Sequence, residues 1–188
     1  MRYLFDLRDF CMKAYKVPLK NWIITAAIIL TAWTLIMLLF RKQKGFRLFL
    51  SRIFASLGLF LIVLMTFVRY PNRGTGLIWI PLRPLFGMRV SSDYWFVSIT
   101  NLILYMPFAC GLSFSGEGEK KEEAVGKTIL ICFLVSLAAE SYQYTTASGL
   151  AEVDDVLFNT LGGLIGAIPR LLCPEMKDGA KAEKEAAD

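Results

Sequence analysis

Long apolar stretches constrain this chain more than any other feature of its sequence. They occupy residues 21–40, 48–68, 94–112, 128–144 and 153–172. About twenty apolar residues suffice for a helix to cross the hydrocarbon core of a bilayer. Hydrophobic residues make up 55% of the 188, and the stretches are too long to be buried in one soluble core. We therefore predict an all-α integral membrane protein with about five transmembrane helices.

The remaining segments predict a simple domain organisation around a membrane domain at 21–172. Residues 1–20 carry charged and apolar side chains at spacings of three and four, which predicts an amphipathic helix lying in the interface. The segment 69–93 contains LIWIPLRPLF, which is too short to span and too apolar for water. It predicts a re-entrant or interfacial loop. The polar, low-complexity tail at 173–188 is expected to be disordered.

The composition narrows the chemistry that is open to this chain. Histidine is absent, which removes His-based acid/base pairs and His metal ligands. The four cysteines form no CxxC pair, so we expect unpaired thiols. The net charge of +5 comes from basic residues that flank apolar stretches, which indicates membrane lipid headgroups rather than nucleic acid as partners. We predict no cofactor and no metal site.

The distribution of basic residues predicts the orientation. Residues 41–52 are densely basic, whereas the turn at 145–152 has no Lys or Arg. Basic loops stay on the cytoplasmic side of a membrane. With five spans, this places the C-terminus in the cytoplasm, and we predict a multi-pass protein of the cell membrane.

Polar side chains interrupt the last three apolar stretches at helical spacings. A charged side chain at the centre of a spanning helix costs roughly 2.5–3.5 kcal/mol on insertion scales, so each one needs a reason. Residues three or four apart share one helix face, and on the predicted orientation the polar groups lie at similar depths. The pattern predicts a polar ligand-binding site in the outer-leaflet half, with Asp154 at its rim and a wall formed by Asn101, Glu140, Gln143, Asp155 and Asn159.

Other interpretations of the same residues stay open. The side chains could hydrogen-bond only to one another and hold the helices in register. Carboxylates this close repel unless a proton, a metal ion, a ligand cation or a basic side chain such as Arg83 or Arg89 neutralises them. Glu140 and Asp155 could also perform acid/base chemistry, one with its pKa raised by burial.

Small residues and a proline mark the helix packing. Gly162 and Gly166 form a GxxxG motif, which lets a neighbouring helix approach closely, and Gly163 lies beside them. Pro107 lies inside the third stretch, where we expect it to kink the helix. These four residues are predicted to have structural roles.

Three motifs resemble the VanZ-like family of membrane proteins. They are NLILYMPFACG at 101–111, AESYQ at 139–143 and EVDDVLFNTLGGLIG at 152–166. The resemblance is strongest over residues 77–170. It marks the motif positions as functional but carries over no catalytic residue.

The resemblance implies low-level resistance of Gram-positive bacteria to teicoplanin, a glycopeptide antibiotic with a fatty acyl tail. The protein would alter access of the antibiotic to the cell surface. The partner would be the lipoglycopeptide or a lipid-linked cell-wall precursor. Two alternatives remain: a membrane enzyme acting on a lipid-linked envelope precursor or phospholipid, and a structural or partner-holding membrane protein.

Overall fold

Five α-helices form most of the part of the chain that the structure describes. The computed structural model describes residues 18–68, 76–90, 94–116 and 120–173. The helices are α1 (Leu19–Leu39), α2 (Lys44–Val68), α3 (Tyr94–Leu112), α4 (Lys121–Thr145) and α5 (Val153–Leu172). All five are long and apolar enough to cross a membrane, and 79% of the structure is helical. The prediction of an all-α membrane protein with five spans is confirmed.

Two helices begin at least four residues earlier than their apolar stretches. The helix α2 begins at Lys44 rather than at 48, and α4 begins at Lys121 rather than at 128. In α4, Glu122 and Glu123 lie in the first turn, where acidic side chains favour the helix dipole. Lys127 lies 3.4 Å from Glu123, one turn along. The charged residues therefore continue the helix beyond the apolar stretch.

A short pair of strands joins two distant connections at one end of the helices. Strand β1 (Gly76–Ile78) pairs in parallel with β2 (Leu150–Glu152), which directly precedes α5. A 3₁₀ helix (Arg83–Phe86) follows β1. The sequence did not predict these strands, because a three-residue pair has no periodicity of its own. We call this end of the bundle, around β1 and β2, the cavity end, because a cavity opens among the helices there.

The described part of the predicted interfacial loop exposes large apolar side chains. Trp79 is 71% exposed, and Leu85 and Phe86 are exposed to the same degree. Aromatic side chains are enriched at membrane–water interfaces, where one side meets lipid. This composition suits an interfacial position for residues 76–90. The predicted amphipathic leader and the predicted disordered tail lie outside the described residues, apart from Pro18 to Lys20 and Cys173.

Glycines let α5 pack closely between α3 and α4. A Cβ atom at Gly162 would overlap the carbonyl oxygen of Leu102 in α3, and one at Gly166 would lie 2.9 Å from the Ala109 Cβ. On the other side, a Cβ at Gly163 would lie 2.8 Å from the Cys132 Sγ of α4. Contacts of this kind replace the hydrophobic effect as the cause of helix association in a bilayer.

The opposite end of the bundle, here called the basic end, contains two buried arginines. Arg47 and Arg170 are 4% and 7% exposed, and their guanidinium carbons lie 5.4 and 5.5 Å from the Phe114 ring centroid. A guanidinium over an aromatic face is stabilised by the ring quadrupole. Trp33 of α1 stacks on Phe54 of α2 nearby, with ring centroids 4.3 Å apart. Aromatic contacts therefore hold α1 against α2 at this end.

Replacing Gly162 with alanine is expected to destabilise the protein. The added methyl group forces α3 away from α5, and overpacking of this kind costs about 1–3 kcal/mol. Gly126→Ala is the matched control, because nothing lies within 4 Å of a Cβ at that helical position. Thermal unfolding in detergent should show a lower midpoint for Gly162→Ala only. Equal midpoints for the two variants would contradict this packing.

Candidate functional site

Asp154 anchors the interfacial loop to the start of α5. The residue is 2% exposed, and its Oδ1 accepts a hydrogen bond from the Leu82 backbone N–H at 2.7 Å. Its Oδ2 accepts a hydrogen bond from the Tyr94 hydroxyl at 2.6 Å. Leu82 has a φ of 50°, a left-handed conformation that costs a residue with a side chain roughly 1–2 kcal/mol. The bond from its N–H to a carboxylate helps to offset that cost.

Two further hydrogen bonds connect α5 to its neighbours. The Asn101 Nδ2 of α3 donates to Oδ1 of Asp155 at 2.6 Å. The Asn159 Nδ2 donates to the Ser136 Oγ of α4 at 2.8 Å. All four residues are buried. Polar side chains thus link three helices at the cavity end, and the same face of α5 continues into the glycine contacts.

Glu140 holds the strand that precedes α5. Its Oε2 accepts a hydrogen bond from the backbone N–H of Glu152 at 3.1 Å. The side chain of Glu152 pairs with Arg83, with 2.8 Å between Oε2 and Nη2. The sequence offers Arg83 as one candidate to neutralise the predicted site carboxylates. Its ion pair is instead with Glu152, and Arg89 is exposed.

A cavity of about 220 Å³ opens among the helices at this end. One wall comes from α1 and α2 and is mostly apolar. The second wall comes from α3, α4 and α5, and it combines most of the polar residues with apolar side chains such as Phe96, Ile103 and Leu104. The first wall includes Trp22, Ala26, Ile29, Leu61, Ile62 and Met65, and the second includes Asn101, Pro107, Glu140, Gln143 and Asn159. The cavity is smaller than the roughly 300–1,000 Å³ pockets that enclose drug-sized ligands, so it suits part of a larger amphiphile.

Some buried polar atoms of cavity-lining residues have no hydrogen-bond partner among the described residues. Examples are the Gln143 Oε1, the Asn159 Oδ1 and the Trp22 Nε1. An unsatisfied buried donor or acceptor costs about 1–3 kcal/mol. Native structures contain few such groups, and each one needs an explanation.

The structure divides the six residues that the sequence predicted as a polar site. Asn101, Glu140, Gln143 and Asn159 line the cavity. Asp155, expected in the wall, and Asp154, expected at the rim, are not among the lining residues. Their carboxylates instead accept hydrogen bonds from α3 and from the interfacial loop.

The described residues contain no group of three or more Cys, Asp or Glu side chains placed to hold a metal ion. At the cavity end, the carboxylates of Asp154, Asp155 and Glu140 each accept a hydrogen bond from a different partner. The site therefore offers a ligand hydrogen-bonding groups and carboxylates next to apolar side chains.

Sequence reasoning missed Tyr94, Ser136, Glu152 and Trp22. Helical spacing could have found two of them. Tyr94 lies seven residues before Asn101, and Ser136 lies seven before Gln143, so each pair shares a helix face. Glu152 contributes through its backbone N–H, and Trp22 through the packing of α1. Neither contribution leaves a signal in the sequence.

Asp154→Asn is expected to loosen the interfacial loop. The amide keeps one acceptor oxygen where the carboxylate serves two donors, so we expect a loss of about 1–3 kcal/mol in stability. Tyr94→Phe should cost less in the Asp154→Asn background than in the wild type, because the two residues share a bond. Thermal unfolding and protease cleavage within 76–90 provide the measurement. Tyr144→Phe, at an exposed position, is the control, and full additivity would contradict the contact.

The sequence matches the family model described as VanZ/LLP1 over residues 26–173. The matched region contains α2 to α5 completely, most of α1, and every residue that lines the polar wall of the cavity. No curated protein and no solved structure matches the chain. Because the match covers most of the chain, this multi-pass membrane protein belongs to the VanZ-like family.

Proposed function

We propose that the protein binds part of an amphiphile at the outer face of the cell membrane. By doing so it lowers the access of acylated glycopeptides such as teicoplanin to the cell surface. The observation that carries this proposal is the cavity, which combines a largely apolar lining with polar side chains from α3, α4 and α5 at one end of the spanning helices. Few other arrangements can accommodate both parts of one amphiphile at the level of a membrane surface.

In this proposal the cavity is reached from the lipid-facing side of the bundle. Ile29 of α1 and Leu61 of α2 both line it, and they are 37% and 41% exposed. We take these two side chains to mark its mouth, between α1 and α2. At the basic end, the stacked Trp33 and Phe54 hold the same two helices together. An acyl chain can therefore enter sideways from the bilayer.

The predicted orientation supports action on molecules outside the cell. With the C-terminus in the cytoplasm, the cavity end faces the outer leaflet. An acylated glycopeptide that reaches the cell from outside inserts its tail at that level. A protein that binds such tails, or the lipids around them, changes how much of the drug stays at its target.

A structural role is the second candidate, and the hydrogen bonds of the cavity end favour it. Asp155 bonds Asn101 across two helices, and Asp154 bonds Tyr94 and the loop. In that case, changes at the cavity would lower the amount of folded protein and affect no separate activity.

Expression in a sensitive Gram-positive host tests the proposal. The wild-type protein is expected to protect against teicoplanin more than against vancomycin, which lacks the acyl tail. Glu140→Gln keeps an acceptor for the Glu152 N–H but removes the charge at the cavity, so most of the protection should disappear. Minimum inhibitory concentrations at matched membrane levels provide the measurement.

The control is Glu123→Gln, the same chemical change on the same helix at an exposed position near the basic end. It should protect like the wild type. Equal protection by Glu140→Gln and the wild type would contradict a role for the cavity. Loss of protection only in step with loss of protein would support the structural alternative.

A further inference from the structure

We infer that residues 79–88 form a wedge inserted into the leaflet at the cavity end, where their apolar side chains contact lipid instead of water. The partner of the wedge is the phospholipid leaflet itself, at the level where headgroups meet acyl chains. The inference does not depend on what the cavity binds, so it goes beyond the proposed function. The exposed apolar side chains of the wedge are those of Trp79, Ile80, Leu85, Phe86 and Met88.

The wedge turns apolar side chains outward and a charged side chain inward. Leu85 and Phe86 are 69% and 70% exposed, and Trp79 is 71% exposed. The side chain of Arg83 is only 21% exposed and pairs with Glu152 at 2.8 Å. A surface that faces water has the opposite arrangement, because apolar groups gain free energy by leaving water whereas charged groups lose it. This order of side chains is typical of a surface that faces hydrocarbon.

Hydrogen bonds to Asp154 fix the depth of the wedge. Asp154 lies in the first turn of α5 and accepts bonds from the Leu82 N–H and from the hydroxyl of Tyr94, the first residue of α3. The helix α5 has 20 residues. It is therefore about 30 Å long, which matches the thickness of the hydrocarbon core. The first turns of α5 and α3, and Leu82 with them, thus lie at the boundary of the hydrocarbon.

The 3₁₀ helix keeps the large apolar side chains near that boundary. It covers Arg83–Phe86 and directly follows Leu82. A 3₁₀ helix rises about 2 Å per residue, so Leu85 and Phe86 lie within about 8 Å of Leu82. The headgroup region outside the hydrocarbon is about 5–7 Å thick. Both side chains are therefore at the level of the headgroups or the acyl chains, where exposed apolar groups meet lipid.

Exposed aromatic side chains at the cavity end favour lipid over a protein as the partner. Trp79 of the wedge, Trp95 near the start of α3 and Tyr144 near the end of α4 are all exposed. Trp and Tyr are enriched where a membrane meets water. Because these three lie on separate elements, a surrounding lipid leaflet explains them together, whereas a second copy of the chain would cover one side. Arg89, exposed directly after the wedge, can extend to a lipid phosphate.

The wedge would fix how deeply the bundle sits in the bilayer. Spanning helices adjust their tilt and depth at a cost of fractions of a kcal/mol per Å of mismatch, and interfacial aromatic and basic side chains limit that freedom. The wedge supplies such side chains on a loop that Asp154 and the β1–β2 pair tie to α5. The polar residues of the cavity end consequently stay close to the membrane surface.

Depth measurements with spin labels test the inference. A nitroxide is attached to Phe86→Cys in the full chain, in vesicles of phosphatidylcholine and phosphatidylglycerol. Cys11→Ser is present throughout, and Cys110, Cys132 and Cys173 are 0% exposed, so these three should take up no label. Collisions of the nitroxide with oxygen, which concentrates in hydrocarbon, are compared with collisions with a water-soluble nickel chelate.

Two labelled positions give the reference values. Leu130→Cys is an exposed position inside the spanning helix α4, and Gln43→Cys is an exposed position in the turn between α1 and α2. We expect the oxygen-to-nickel collision ratio at Phe86 to be several times that at Gln43 and to approach that at Leu130. Leu85→Cys repeats the measurement at the neighbouring side chain if Phe86→Cys does not fold.

The outcomes separate lipid from the other possible surroundings. A ratio at Phe86 as low as that at Gln43 would place the wedge in water and overturn the inference. Few collisions with either reagent would show that a second copy or another segment of the chain covers the surface, which would also overturn it. Adding Asp154→Asn should shift the ratio at Phe86 toward that at Gln43. An unchanged ratio would contradict the role of Asp154 in fixing the depth.

Discussion

The cost of polar groups inside a bilayer governs how this protein is built. Each polar side chain in α3, α4 and α5 must find a partner within the protein, because lipid offers none. Threonines such as Thr128 bond the backbone of their own helix, whereas the larger groups pair across helices: Asp155 with Asn101, Asn159 with Ser136, and Asp154 with Tyr94. Some of the buried polar atoms that have no hydrogen-bond partner among the described residues belong to residues that line the cavity, and others, such as the Trp33 Nε1 and the Arg47 Nη1, lie at the basic end.

The glycine face of α5 makes this arrangement possible. Gly162 and Gly166 bring the backbone of α5 against that of α3, close enough for the short side chains of Asn101 and Asp155 to meet. The outer helices α1 and α2 pack on this central group and are stacked on each other at the basic end. Between this close-packed centre and the two outer helices lies the cavity, whose lining is largely apolar and includes polar side chains from α3, α4 and α5.

Hydropathy and helical period accounted for the five spans, because both properties are local. They also brought Glu140, Gln143 and Asn159 to one region, since each lies at a fixed depth on a helix. They could not place Asp154, whose partner Leu82 lies in a loop joined to α5 by a strand pair between distant segments. Nor could they place Trp22, because the position of α1 depends on packing rather than on its own pattern.

The most direct test of the account is to identify what occupies the cavity in living membranes. A diazirine amino acid at Met65, which lines the cavity, would be compared with one at Leu57, an exposed position on the same helix. After illumination, mass spectrometry identifies the attached lipids. We expect Met65 to capture an amphiphile that Leu57 does not enrich. Capture of the same bulk phospholipids at both positions would contradict it.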